Sequence, residues 1–182
     1  MGENLHIVSA LVANKSGVLN RISGLFSKRG YNIESLSVAF TEDRNYSRMT
    51  IVVNGDDYVL EQITKQLAKL VDVEYVAQLD PDQAVHRELL LVKINATPKQ
   101  RAEIESTVRL YKAKPIDLSP NSMIIELTGQ SNKIDGFLQV ISEYGIIEMA
   151  RTGLTALQRG EKNIKQLENS NEEINNNGKK YL

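Results

Sequence analysis

The chain has 182 residues, 41% of them hydrophobic and 25% charged, and a formal net charge of -1. That length suits one ordinary domain or two small ones, and so small a charge sets up no global field to draw in nucleic acid or an anionic membrane. There is no cysteine and there are two histidines, His6 and His86, which excludes disulfides, thiolate metal sites and a histidine metal cluster and fits a reducing compartment.

Leu5 to Val12 is a short apolar run that suits a strand buried on both faces. It is too short, and too poor in preceding basic residues, for a signal peptide or a membrane span. Asn14-Lys15-Ser16-Gly17 breaks the run. Val18, Leu19, Ile22, Leu25 and Phe26 then recur at helical spacing, with Ser16 as the expected N-cap and Gly30 as the stop after Lys28-Arg29. Glu34 to Phe40 alternates, with Leu36, Val38 and Phe40 on one face and Ser35, Ser37 and Ala39 on the other. Met49, Ile51 and Val53 alternate in the next strand. Asp56 or Asp57 caps a helix whose stripe is Val59, Leu60, Ile63, Leu67 and Leu70, and Val71 to Gln78 is a last strand. The order βαββαβ is that of a ferredoxin-like unit.

Asp80-Pro81-Asp82-Gln83 is a polar break, so a linker is expected at 81–85. The order of elements then repeats. Arg87 to Asn95 is a strand, and Thr97-Pro98 opens a helix with Ile104, Val108 and Tyr111 on one side. Lys114 to Leu118 and Ser122 to Thr128 are strands around a Pro120-Asn121 turn. Ser131 is the expected cap of a helix carrying Ile134, Phe137, Leu138 and Ile141, and Ile146 to Arg151 is the final strand. The fold class is therefore α+β, two tandem ferredoxin-like βαββαβ domains at 4–80 and 86–160. Residues 161–182 are polar and Asn-rich and read as a frayed helix or a disordered tail.

In a ferredoxin-like sheet the second strand lies at an edge. In the second half that strand carries Lys114 and Pro115, both of which block edge-to-edge pairing. In the first half Glu34 to Phe40 carries neither, so two copies are expected to pair there across a two-fold axis. A loop covering the edge is the alternative.

The loop at Gly17 offers free N–H groups at a helix N-terminus, which favours an anion, and Gly17 allows close approach to the backbone. Asn14 and Asn32 each add an amide donor and acceptor, which suits a zwitterion. An ordinary βα turn with a capping serine explains the same residues. There is no G-x-G-x-x-G or Walker spacing, no aromatic platform for RNA in SRMTIVVN, and no nucleophile–base constellation. A binding or regulatory protein is favoured over an enzyme.

NKSGVLNRISGLFSKRGYNIESLSV, followed by SRMTIVV, LEQITKQLAKLVDV, RELLLVKI and ARTGLTALQRG, closely resembles the small, regulatory subunit family of acetolactate synthase (acetohydroxyacid synthase) over roughly Leu5 to Gly160. The resemblance implies an ACT domain followed by the family's C-terminal ferredoxin-like domain. It implies a chain without catalytic activity that dimerises through the ACT domain and binds the large, catalytic subunit. Thiamine diphosphate, Mg and FAD would reside in that subunit and none in this one. Its activity would be raised, and feedback inhibition by valine or another branched-chain amino acid conferred, in valine, leucine and isoleucine synthesis. By position, the effector site would comprise Asn14, Gly17, Val18 and Leu19 of one chain with Asn32 and Ile33 of another. In that site the N–H groups at Gly17 to Leu19 would hold a carboxylate, and Val18 and Ile33 would line an aliphatic pocket. Lys15 departs from the family's usual acidic or polar residue and is left out of the site. The expected compartment is a bacterial cytoplasm or, for a plastid-encoded chain, the plastid stroma. The alternatives are an ACT regulator sensing another amino acid and acting on a different enzyme, an RNA-binding protein and a small acylphosphatase-type hydrolase.

Overall fold

A computed structural model describes residues 5–167. These form two compact units, one of residues 5–86 with 154–167 and one of Arg87–Gly153.

In the first unit β1 (Leu5–Ala13), α1 (Val18–Arg29), β2 (Ile33–Phe40), β3 (Tyr46–Asn54), α2 (Asp57–Leu67) and β4 (Val73–Leu79) follow the βαββαβ order. The sheet runs β2-β3-β1-β4, all antiparallel, with β2 at an edge. Alternation along β1 sends Val8, Ala10 and Val12 to the helix side, where they pack with Ile22 and Phe26 of α1 and Leu60, Ile63 and Leu67 of α2. Asp56 is the N-cap of α2 and accepts from Val59 N–H at 2.8 Å.

The odd-numbered side chains of β1 face the other way, and residues from beyond the second unit cover them. Ile7, Val52 and Leu79 cluster with Ala84, Leu154 and Ala156, while Leu11 and Ala77 cluster with Ile164. This is why β1 is apolar on both faces. Residues 154–160, grouped with the second half on sequence alone, thus pack within the first unit. They include β9 (Thr155–Gln158), which pairs with β5 (Ala84–Asn95). Arg159 N–H donates to the Gln83 carbonyl at 2.8 Å. Of the tail expected at 161–182, residues 164–167 form a helical turn with Ile164 buried; residues 168–182 lie outside the described residues.

The second unit contains most of β5, α3 (Arg101–Leu110), β6 (Lys114–Leu118), β7 (Ser122–Gly129), α4 (Ser131–Ile141), a 3-10 turn (Ser142–Tyr144) and β8 (Ile146–Arg151). Its strand order, β6-β7-β5-β8, repeats that of the first. Leu90, Val92 and Ile94 pack with Ile104 and Val108 of α3 and Ile134, Phe137 and Ile141 of α4. Two helix starts differ from expectation. Residues 98–100 form a turn, closed by Gln100 N–H to the Thr97 carbonyl at 2.9 Å, and α3 begins at Arg101. Thr97 directs its hydroxyl to the Gln100 side chain at 2.6 Å rather than to a helix N–H. Ser131 is the first residue of α4, not its cap, because its hydroxyl donates to the buried Glu88 carboxylate.

Candidate functional site

The β1–α1 loop turns on Gly17. This residue is the N-cap of α1, with φ +85° and no side-chain cap hydrogen bond. Ser16, expected to cap, stands one residue earlier, since the left-handed turn falls at Gly17 and only glycine adopts it without strain. Val18 N–H reaches the Lys15 carbonyl at 3.4 Å, and Arg21 N–H donates to the Gly17 carbonyl at 3.0 Å. Among the described residues the N–H groups of Gly17, Leu19 and Asn20 have no acceptor. They sit at the positive end of the α1 dipole, so the loop can receive a small anion. A Cβ added at Gly17 would meet nothing within 4 Å, which leaves the backbone approachable.

The two apolar residues after Gly17 diverge. Val18 is 4% exposed and packs in the core with Ile22 and Phe26. Leu19 is 45% exposed and is the side chain free to touch a ligand. Val18, expected to line an aliphatic pocket, is thus a core residue of α1 whose side chain does not face the loop.

Asn14 is held by the β2–β3 hairpin. Its side-chain amide donates to the Arg44 carbonyl at 2.8 Å and its backbone N–H to the Asn45 carbonyl at 2.7 Å. Its Oδ1 keeps an open acceptor, suited to an ammonium group. Arg44 in turn lies over the Phe40 ring at 4.8 Å. Arg48, on β3 beside this hairpin, has its pKa lowered by burial, with Glu42 acting in the opposite sense, and its Nη1 donates to Ser9 Oγ at 3.0 Å.

Asn32 and Ile33 stand at the start of β2. Asn32 Nδ2 donates to Glu34 Oε1 at 2.5 Å, and Ile33 packs partly buried against the core. They lie beyond the far end of α1. Its 12 residues rise by roughly 18 Å, so one chain does not bring Asn32 and Ile33 to the Gly17 loop. Sequence reasoning missed the partners of the two asparagines, the Arg44 and Asn45 carbonyls and Glu34, because backbone carbonyls and a bulged strand leave no residue-type signal. Three or more histidine, cysteine or acidic residues placed to hold a metal ion are absent among the described residues.

Comparison with known proteins covers both units. A family model described as an AHAS small subunit-like ACT domain matches residues 8–74, and one described as the small subunit of acetolactate synthase matches residues 87–160. The acetolactate synthase isozyme 3 small subunit of Escherichia coli is 48% identical over 157 residues, 86% of this chain and 96% of the relative. The acetolactate synthase small subunit of Mycobacterium bovis is 45% identical over 164 residues, 90% of this chain and 98% of the relative. The crystal structure of the Thermotoga maritima acetolactate synthase small subunit superposes with a TM-score of 0.82 at 39% identity, covering 87% of this chain and 99% of that one.

Proposed function

Because the chain belongs to the acetolactate synthase small-subunit family, as a regulatory subunit, we propose that it binds the large subunit, raises its activity and makes it sensitive to valine. In this reading the chain does no chemistry itself. Thiamine diphosphate, Mg and FAD belong to the large subunit. The observation that carries the effector assignment is the Gly17 turn, where a left-handed glycine leaves three N–H groups at a helix N-terminus without acceptors in the described chain. An amino-acid carboxylate is opposite to them in charge, and its two oxygens can accept from all three.

Strand directions support a site shared between two chains. β1 runs toward the Gly17 loop, α1 runs back, and β2 runs toward the loop again, ending at the hairpin that holds Asn14. Antiparallel pairing of two β2 edges would set the start of one strand beside the end of the other. Asn32 and Ile33 of the partner subunit would then stand at the Asn14–Gly17 end, supplying an amide and an aliphatic wall. Val38 and Phe40, 45% and 59% exposed on β2, would be covered in the same step. Valine bound across this edge favours one arrangement of the two ACT domains, and its differential affinity for the two arrangements biases the contact with the large subunit.

The test is to mix the chain with an acetolactate synthase large subunit and assay acetolactate formation with and without valine. The reading predicts higher activity on mixing and inhibition by valine only in the mixture. Equal activity with and without the chain would overturn it. Sensitivity to a different amino acid would retain the site and change the effector.

A further inference from the structure

The edge strand that begins at the proposed effector residues is also bonded to the segment returning from the second unit. Register between β2 and β3 shifts between Ile33 and Ser35, so Glu34 is the extra residue of a bulge. The Glu34 carboxylate holds the Asn32 amide. The next residue, Ser35, accepts the Leu154 N–H on its hydroxyl at 2.9 Å, and Ser37 Oγ lies 3.1 Å from Thr155 Oγ1. Alternation places both serines on the face opposite Leu36, the face that residues 154–167 cover. Leu154 is 7% exposed, so its N–H depends on Ser35 for an acceptor. Earlier in the chain the segment is anchored inside the second unit. Thr152 N–H donates to the Leu89 carbonyl and Leu89 N–H to Thr152 Oγ1, each at 2.9 Å, while Arg151 is paired with Glu88 and Asp135.

We infer, on the basis of the effector reading above, that Ser35 and Ser37 are positioning residues that pass effector occupancy from β2 to the chain at Leu154–Thr155. An effector that engages the Asn32 side chain draws it from Glu34. The carboxylate that steadied the bulge is then released, and the strand beyond it can re-aim Ser35 and Ser37. Their partners are the residues by which the chain leaves Thr152 and the anchored end of β8. The coupling therefore runs through a contiguous set of bonds with two arrangements, bulge held and bulge released.

The experiment uses the full chain with an acetolactate synthase large subunit. Ser35→Ala, Ser37→Ala and Thr155→Val are compared with wild type, with Thr155→Ser as the variant that keeps the hydroxyl. Calorimetry on the full chain alone gives the valine dissociation constant; the mixture gives activation and residual activity at saturating valine. The expected result is an unchanged dissociation constant and activation, with the coupling between valine and activity reduced about 2- to 30-fold. Thr155→Ser should behave as wild type, and Ser37→Ala with Thr155→Val should do no more than either alone. Wild-type inhibition in all three variants would overturn the coupling while leaving the effector site standing. So would loss of valine binding in step with loss of inhibition, since the serines would then merely support the site. A wild-type chain that neither binds valine nor confers inhibition would refute the effector reading and the coupling with it.

Discussion

Replacing Gly17 separates the backbone requirement at the loop from the charge requirement. At φ +85° an alanine pays about 1–2 kcal/mol for the left-handed conformation, and asparagine or aspartate less. No steric cost adds to this, because the new Cβ points into open space. For a chain of this size about 1 kcal/mol corresponds to a Tm loss of about 2–4 °C, so all three variants should fold. Gly17→Asn and Gly17→Asp have nearly the same shape and differ in charge. If the free N–H groups receive the effector carboxylate, the aspartate adds a like charge at roughly 4 Å, worth about 4 kcal/mol at an effective dielectric constant of 20. Each 1.4 kcal/mol is tenfold, so valine affinity should fall by as much as about a thousandfold in Gly17→Asp. The loss should be much smaller in Gly17→Asn, and activation of the large subunit should persist in both. Calorimetry with valine, and inhibition curves in the mixture, measure this. Inhibition of the Gly17→Asp protein at wild-type valine concentrations would refute the assignment of the carboxylate to this loop.

Three further predictions concern separate features. Asn32→Ala removes an amide from the proposed second half of the site and should weaken valine binding by about 1–3 kcal/mol; calorimetry reads it directly. Val38→Lys places a charge on the unpaired β2 edge and should convert a dimer at micromolar concentration to a monomer by sedimentation, with folding intact by circular dichroism. A wild-type chain already monomeric under those conditions would remove the shared site. Ile164→Ala hollows the packing under Leu11 and Ala77, where Ile164 is 4% exposed. It should destabilise by about 2–5 kcal/mol in chemical denaturation, although the residue lies outside the βαββαβ repeat.

Periodicity read along the chain carries the fold because it is local. Ile22 and Phe26 of α1, Ile63 and Leu67 of α2, and Ile134 and Phe137 of α4 fall on their core stripes wherever the helix is placed. The β2-β3-β1-β4 order follows from the sequence of elements and the pairing rules of the unit. At the candidate site, residue type alone distinguished Gly17 and the two asparagines, and periodicity placed Val18 in the core stripe. Whether a particular hydroxyl caps a helix or serves a neighbour was not legible. Ser16 and Ser131 are both acceptable caps by type, yet Gly17 takes the turn and Glu88 takes the Ser131 hydroxyl.

By itself, then, the chain's pattern of apolar and turn residues determined two βαββαβ units and the second strand of the first as an edge, and left the Gly17 turn open between an anion loop and an ordinary βα turn. Each depends on residues close together in sequence. Tertiary structure decided that residues 154–167 cover the second face of the first sheet. Leu154, Ala156 and Ile164 are too few to announce a core of their own, and they are buried only because Ile7, Leu11 and Leu79 wait opposite them. It also decided that Leu19, on the same predicted stripe as Val18, faces out while Val18 is buried, and that Asn32 stands a helix length from the Gly17 loop in its own chain. Burial and convergence belong to pairs of distant surfaces, and one strand of text holds each surface without showing which other it meets.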